Sequence, residues 1–222
     1  MKSREALAQR EVPEAEHVRA GQREHQEHLG GPAADAGQGQ QFGDHGLVVL
    51  LTQVGEVHRA GLRGLRDGLQ SIQTILSTAQ KIEWVKQAYA AGQREIEVGS
   101  FVPPKLMPQL ADTWEVLAFA KTLPGLTASV LIPNLKGAER ALEGDAHLMV
   151  LPLSASHAHS LANLRKTPDE VVQELARIRA ARDASGKKTL IEGGVGTAFG
   201  CTLQGEVKVE EVLRLMQALL DA

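Results

Sequence analysis

From Ser77 to the last residue, helical hydrophobic stripes alternate with short and almost wholly apolar segments. Apolar residues three to four positions apart, which are typical of helices, occur in STAQKIEWVKQAYAAG, ADTWEVLAFAKTLPG, LKGAERALEG, TPDEVVQELARIRAARDASG and GEVKVEEVLRLMQALLDA. Strand-like runs lie between them, in REIEVGSF, TASVLIPN, HLMVLPLSAS and KKTLIEGGV. The pattern predicts helices and strands in regular alternation.

Capping residues mark the beginnings of two of these helices. Thr167 stands at an N-cap position, Pro168 follows at the first helical position, and Glu170 completes a capping box. Asp112 and Glu115 show the same spacing. We therefore expect the Thr167 and Asp112 side chains to cap their helices.

Apolar strands that alternate with helices are typical of a parallel sheet covered on both faces, which makes the predicted fold class α/β. Two architectures remain open at this point, a doubly wound open sheet and a (β/α)₈ barrel. A dinucleotide-binding open sheet favours GxGxxG in its first strand-to-helix turn, and no such motif is present. The glycine-rich GGVGTAFG at 193–200 follows a late strand and precedes no obvious helix, so it is a poor candidate for a phosphate loop.

Residues 1–60 lack this alternation. The stretch GGPAADAGQGQQFG is too polar and glycine-rich to pack a core, so we expect a poorly ordered N-terminal leader. His25 and His28 in HQEH have no second pair at ligand spacing, which argues against a metal site there. The apolar run LVVLL at 47–51 is of strand length.

Composition excludes several classes of protein. The 222 residues carry a formal net charge of −3 and only 3% aromatic side chains, a poor match to nucleic acid. The polar start MKSREALAQR lacks the apolar core of a signal peptide, and no run reaches the length of a membrane span. We expect a cytoplasmic protein with neither a membrane nor a nucleic acid as its partner.

Polar residues collect where the predicted strands end, which in a barrel is the side that carries the chemistry. Asn134, Ser154, Ser156 and Thr197 follow three of the strands. Glu97 lies inside REIEVGS, where it either faces outward to solvent or belongs to a site.

Five blocks of sequence, in this order, closely resemble the hydroxymethylglutaryl-CoA lyase family: GLRDGLQ, REIEVGSFVPPKLMPQLADT, VLIPNLKGAERAL, LPLSASHAHSLANLRKT and TAFGCTLQGEV. The resemblance runs from about residue 64 to 215. It implies a (β/α)₈ barrel, also called a TIM barrel, that cleaves 3-hydroxy-3-methylglutaryl-CoA or a related 3-hydroxyacyl-CoA to acetyl-CoA and acetoacetate with Mg²⁺ or Mn²⁺, in leucine catabolism.

The resemblance also assigns roles to residues. It implies Arg66 as the catalytic arginine, Asp67 as a metal ligand, Gln70 and Glu97 around the acyl pocket, and Asn163 and Thr167 as contacts of the CoA moiety. A guanidinium beside a hard cation is suited to polarising substrate oxygens and stabilising an enolate. His157 and His159 of HAH are interpreted as loop residues near the CoA path, because the family's metal histidines follow a later strand.

The sequence departs from the family at both ends of the resemblance. HRAGLRG at 58–64 is a poor central strand, so the first barrel strand is expected to be missing or supplied by residues 47–51. The chain stops after the fifth strand–helix unit, so we interpret 61–222 as the N-terminal part of a TIM-barrel lyase domain and 1–60 as a leader, for which a gene-model artefact is one hypothesis.

This truncation predicts an inactive isolated chain, because Asp67 alone does not hold a divalent cation. The alternative is a non-catalytic fragment that binds acyl-CoA or another subunit. Its open sheet edges make a homo-oligomer possible.

Overall fold

The computed structural model describes residues 62–222 together with the two-residue strand Leu47–Val48. All of them belong to one compact unit, residues 43–222. The predictions for the leader, including HQEH, otherwise lie outside the described residues. No helix in the described part of the chain is long and apolar enough to cross a membrane.

Strands and helices alternate as the hydrophobic pattern predicts. The strands are β1 Leu47–Val48, β2 Glu95–Ser100, β3 Thr127–Leu131, β4 Leu148–Ser154 and β5 Leu190–Gly196. The helices are α1 Thr78–Ala90, α2 Thr113–Ala120, α3 Leu135–Glu143, α4 His157–Leu164, α5 Pro168–Ser185 and α6 Val209–Asp221. A single π-helical turn spans Gly64–Gly68, and a short 3₁₀ turn spans Pro108–Leu110.

Helix α4 corrects one interpretation. The HAH residues His157 and His159 lie in its first turn and not in a loop. The helix begins because the Ser156 hydroxyl accepts a hydrogen bond from the His159 backbone N–H at 3.1 Å, which is ordinary N-cap geometry.

The strands form one parallel sheet in the order β1-β5-β4-β3-β2. On the free side of β2, Leu62 makes a parallel bridge with Ile96. Its N–H donates to Glu95 O at 3.0 Å, and its carbonyl accepts from the Glu97 N–H at 2.9 Å. Leu62 therefore occupies the position of a first strand.

The expectation that residues 47–51 supply this first strand is wrong. Leu47 pairs with Ile191 and Val48 with Glu192, so this segment lies beside β5, at the opposite edge of the sheet from β2. Within the described residues, the glycine-rich HRAGLRG segment adds only one residue to the sheet beside β2, as expected of a poor strand former.

The two faces of the sheet differ in chemistry. Alternate residues on one face pack against the helices and are almost completely buried, among them Ile96, Val98, Val130, Met149, Leu151, Leu153 and Ile191. We call the opposite side the inner face; strand register places Glu95, Glu97, Ser129, Val150, Ser154 and Glu192 on it. The inner face holds the charged residues of the sheet.

The predicted Asp112 cap is wrong. Asp112 stands at the N-cap position of α2, but its side chain makes no capping hydrogen bond. Its carboxylate instead forms an ion pair with Lys81 and accepts a hydrogen bond from the Thr78 hydroxyl at 2.8 Å. A buried ammonium competes successfully for this carboxylate, so α1 is tied to the start of α2.

Candidate active site on the inner face

The tight turn that follows Leu62 positions Arg66 and Asp67. The Leu65 side chain is fully buried and anchors the turn in the core, and the Asp67 N–H donates to Arg63 O at 2.8 Å. Arg66 Nη1 donates to Asp67 Oδ1 at 2.8 Å. The adjacent charges are therefore paired, with Arg66 turned inward and Asp67 toward solvent.

Arg66 also contacts the inner face. Its Nε donates to Glu97 Oε1 in a short ion pair, and the Glu97 side chain is only 2% exposed. Of the two interpretations of Glu97, the outward-facing one is therefore excluded. Within the described residues, Arg66 Nη2 has no acceptor, so this nitrogen retains its donors.

The second oxygen of Glu97 is buried and accepts no hydrogen bond within the described residues. Arg63 Nε lies 3.7 Å from this Oε2 atom. Arg63 Nη2 in turn donates to Glu192 Oε1 at 3.0 Å. One guanidinium thus lies between carboxylates of β2 and β5.

Sequence reasoning missed Arg63 and Glu192. A signal for Glu192 was available, since it is a glutamate inside a predicted strand, as Glu97 is, and the one charged residue in the otherwise apolar and glycine-rich segment LIEGGV. Arg63 carried no such signal, because it lies in a segment that reads as a poor strand.

Glu95 is the third carboxylate of the inner face. Burial raises the pKa of Glu95 above its ordinary value, the negative charge of Glu192 raises it further, and Glu97 adds a smaller effect. The positive charge of Arg63 acts in the opposite direction. The carboxylates of β2 and β5 are therefore close enough to influence one another.

Within the described residues, the remaining predicted site residues make no hydrogen bond or ion pair with this cluster. Gln70 is exposed just after the tight turn, and Asn163 is exposed on α4. Thr167 caps α5: its hydroxyl accepts from the Glu170 N–H at 3.2 Å, and its own N–H donates to Glu170 Oε2 at 2.7 Å. The predicted capping box is confirmed, whereas the substrate contacts of these residues stay predictions.

The polar residues predicted at the ends of β4 and β5 do come together. The Ser156 N–H donates to Thr197 Oγ1 at 2.9 Å, and its hydroxyl donates to Gln204 Oε1 at 3.1 Å. Ser154 Oγ lies 2.7 Å from His159 Nδ1. The segments that follow these two strands are thus joined to each other by hydrogen bonds at the carboxyl ends of the strands.

Asn134 and Cys201 have local roles. The Asn134 side chain caps α3 by accepting from the Gly137 N–H at 3.0 Å. Cys201 is a free thiol, and a hydrogen bond with Ser156 lowers its pKa.

A divalent cation does not fit the described residues by themselves. They contain no group of three His, Cys, Asp or Glu side chains that could hold a metal ion. The Asp67 side chain is 63% exposed and already paired with Arg66, whereas hard cations require several oxygen ligands. Among the described residues, Asp67 is the one that the sequence resemblance implies as a metal ligand, and that role stays a prediction.

Residues 63–222 match the profile of the HMGL-like family. The chain belongs to this family. Curated relatives that it matches carry the name of lyases. Among curated proteins it is similar to a hydroxymethylglutaryl-CoA lyase of Bacillus subtilis, with 35% identity over 158 residues that cover 71% of this chain and 52% of the relative. It is also similar to the 3-hydroxy-3-isohexenylglutaryl-CoA/hydroxymethylglutaryl-CoA lyase of Pseudomonas aeruginosa, with 37% identity over 67% of this chain and 49% of the relative.

Among solved structures, too, the chain is similar to HMG-CoA lyases. An HMG-CoA lyase from Acinetobacter baumannii in complex with coenzyme A and 3-methylmalate matches with a TM-score of 0.68 and 38% identity, over 72% of this chain and 52% of that one. The B. subtilis HMG-CoA lyase matches with a TM-score of 0.67 and 33% identity, over 72% and 53%. The sheet and its helices are therefore part of a (β/α)₈ barrel, and the open-sheet alternative is excluded. The chain spans about half the length of these relatives.

Proposed function

We propose that the inner face is part of the active site of a hydroxymethylglutaryl-CoA lyase-like enzyme. The reaction is the metal-dependent cleavage of 3-hydroxy-3-methylglutaryl-CoA, or a related 3-hydroxyacyl-CoA, to acetyl-CoA and acetoacetate. The observation that carries the proposal is the pairing of Arg66 with the buried Glu97, the third residue of β2, where both groups keep hydrogen-bonding capacity. The lyase names of its relatives support the same reaction.

The reaction requires from the protein a hydrogen-bond donor for the oxygen that becomes negative and an acceptor for the substrate hydroxyl. The proton of the 3-hydroxyl leaves, the bond between C2 and C3 breaks, C3 becomes the ketone of acetoacetate, and C2 becomes an acetyl-CoA enolate that takes up a proton. Preorganised donors stabilise the negative oxygen that develops. Arg66, whose Nη2 has no acceptor within the described residues, is the donor, and Glu97 Oε2 is the acceptor that orients a substrate hydroxyl.

Asp67 is the residue of this chain that would ligate the cation, which supplies polarisation of the substrate oxygens when bound. One exposed carboxylate does not hold a hard cation against water, so the 222-residue chain by itself should show no turnover. Thermal unfolding with millimolar manganese should leave both the parent chain and Asp67→Asn unshifted. Stabilisation of the parent alone would show a complete metal site and overturn the claim.

A second candidate is a non-catalytic fragment that binds acyl-CoA or another subunit, including a second copy of itself. It is favoured by the neighbour solved with coenzyme A, which overlaps 72% of this chain. In this proposal Asn163 and Thr167 contact the CoA moiety and Gln70 the acyl pocket. In both proposals residues 61–222 form the N-terminal part of a lyase domain that follows a leader of residues 1–60, and the protein lies in the cytoplasm. A role in leucine catabolism belongs to the first proposal.

Calorimetric titration with hydroxymethylglutaryl-CoA and with coenzyme A separates the two candidates. If the inner face holds the acyl group, Arg66→Met should weaken binding of hydroxymethylglutaryl-CoA and leave coenzyme A binding unchanged. Arg214→Met is the control, because it also removes an arginine with two carboxylate partners, but on the exposed surface. Equal binding of hydroxymethylglutaryl-CoA by the parent and Arg66→Met would favour the non-catalytic fragment, and no heat with either ligand would exclude both.

A further inference from the structure

We propose that Arg63 is a positioning residue of this site: it joins Glu97 on β2 to Glu192 on β5 and so holds the Glu97 carboxylate in the orientation that fixes Arg66. Arg63 and Glu192 both lie outside the sequence blocks that carry the family resemblance. The consequence for ligand binding rests on the function proposed above, whereas the effect on Arg66 does not depend on any ligand.

Arg63 reaches carboxylates that belong to separated strands. Strands β3 and β4 lie between β2 and β5, and neighbouring strands are about 4.8 Å apart. Glu97 and Glu192 therefore do not meet as neighbours within the sheet. They are connected across the inner face by one guanidinium, with Nε 3.7 Å from Glu97 Oε2 and Nη2 3.0 Å from Glu192 Oε1.

The two oxygens of Glu97 have different partners. Oε1 is paired with Arg66, but Oε2 is buried without a hydrogen bond within the described residues. A carboxylate taken out of water is costly unless it is paired. Within the described residues, Arg63 is the second cation within 4 Å of Glu97, so it compensates the side of the carboxylate that Arg66 does not reach.

The charges of the cluster show why the orientation of Arg66 depends on Arg63. Three carboxylates, Glu95, Glu97 and Glu192, face two guanidiniums, Arg63 and Arg66. Without Arg63, Arg66 would be the remaining guanidinium for all three carboxylates within the described residues. Its orientation toward Glu97 would then no longer be the single favourable one.

Arginine is suited to this role for a geometric reason. Its planar fork presents several N–H donors in fixed directions and can serve two carboxylates at once, whereas the point charge of lysine on a flexible stem serves one of them less specifically. The Arg63 side chain is also 45% exposed. A substitution there therefore changes the charge pattern without opening a cavity in the apolar core.

The test is the exchange with water of the Arg66 Nε–H proton, measured by NMR on the whole chain and assigned by the loss of its signal in Arg66→Lys. In Arg63→Met this exchange should accelerate by about tenfold or more, because a hydrogen bond to a charged group is worth at least one decade in an equilibrium constant. Arg63→Lys should give an intermediate rate. Arg214→Met should leave the rate within about twofold, as expected of a surface change.

A second variant keeps the test decisive if Arg63→Met does not fold. Glu192→Gln leaves Arg63 in place but removes its negative anchor, and it should also accelerate the Arg66 exchange. Unchanged exchange in the folded variants, or equal acceleration in Arg214→Met, would overturn the proposal. If the parent binds no hydroxymethylglutaryl-CoA while the Arg66 exchange still responds, the positioning role stands and the proposed function fails.

Discussion

The helix-facing side of the sheet and its inner face differ in what fills them. On the helix-facing side, residues such as Val130, Met149 and Leu151 form a continuous apolar layer beneath the helices. On the inner face, Glu97 and Glu192 are just as buried but are held by arginines. The first face is stabilised by packing that follows from local hydrophobic patterns, whereas the second depends on specific charge pairs between distant parts of the chain.

The largest effect should come from disturbing the helix-facing side. Leu151→Ala removes a side chain that is 1% exposed and should lower the free energy of unfolding by about 2–5 kcal/mol, because it leaves a cavity. Chemical denaturation measures the loss. Leu203→Ala, at an exposed leucine, is the control, and similar losses in both variants would contradict the assignment of Leu151 to the core.

On the inner face, Glu97→Gln should have the next largest effect. The amide keeps the shape but removes the negative charge that Arg66 and Arg63 share, so the loss should be about 1.5–3 kcal/mol, the value of hydrogen bonds to charged groups. The exposed Glu210→Gln should change stability by less than about 0.5 kcal/mol. Equal unfolding midpoints for the two variants would mean that the Glu97 carboxylate is not paired in solution.

Thr167 allows a comparison between a local cap and a substrate contact. Thr167→Ala should cost about 1 kcal/mol by removing the cap of α5, as measured by thermal unfolding. Thr167→Ser keeps the hydroxyl and should restore the stability. If coenzyme A affinity falls in Thr167→Ala and returns in Thr167→Ser, the residue serves both roles. Full stability in Thr167→Ala would contradict the cap.

The smallest effect concerns the pH dependence that Glu95 gives to the inner face. Its pKa in the folded chain is raised above the ordinary 4.5 by burial and by Glu192, so the folded state binds the proton more tightly than the unfolded state. This contribution to stability is present in acid and is lost as the pH rises from 4.5 through the folded pKa. Glu95→Gln removes this loss.

The measurement is the melting temperature of the parent and of Glu95→Gln between about pH 4 and pH 7. The variant should gain relative to the parent as the pH rises, with Glu83→Gln on the exposed face of α1 as the control. A difference that stays constant with pH would show that Glu95 titrates normally.

Features set by neighbouring residues were the ones that the sequence predicted well. The alternation of strands and helices and the Thr167 capping box depend on residues a few positions apart. A similar signal for α4 was present in Ser156, which is followed by a run without glycine or proline, but the family resemblance led to the interpretation of this segment as a loop. The family resemblance also supplied Arg66 and Glu97, which the structure brings into contact.

Features set by distant residues escaped prediction. Asp112 fails to cap α2 because Lys81, 31 residues away, takes its carboxylate. Arg63 and Glu192 are 129 residues apart, and no local pattern links them. The pairing of Leu47–Val48 with β5 likewise depends on which sheet edge is available, a property of the assembled fold and not of the LVVLL segment.

The central claim is that the inner-face cluster around Arg66 is where this chain meets its ligand. NMR on the parent chain during titration with hydroxymethylglutaryl-CoA tests this directly, through the Nε–H signals of the arginines. The account predicts that the Arg66 and Arg63 signals shift with saturation, while those of Arg177 and Arg214, which pair with carboxylates elsewhere, do not move. Saturable binding that leaves the Arg66 signal unchanged would contradict it.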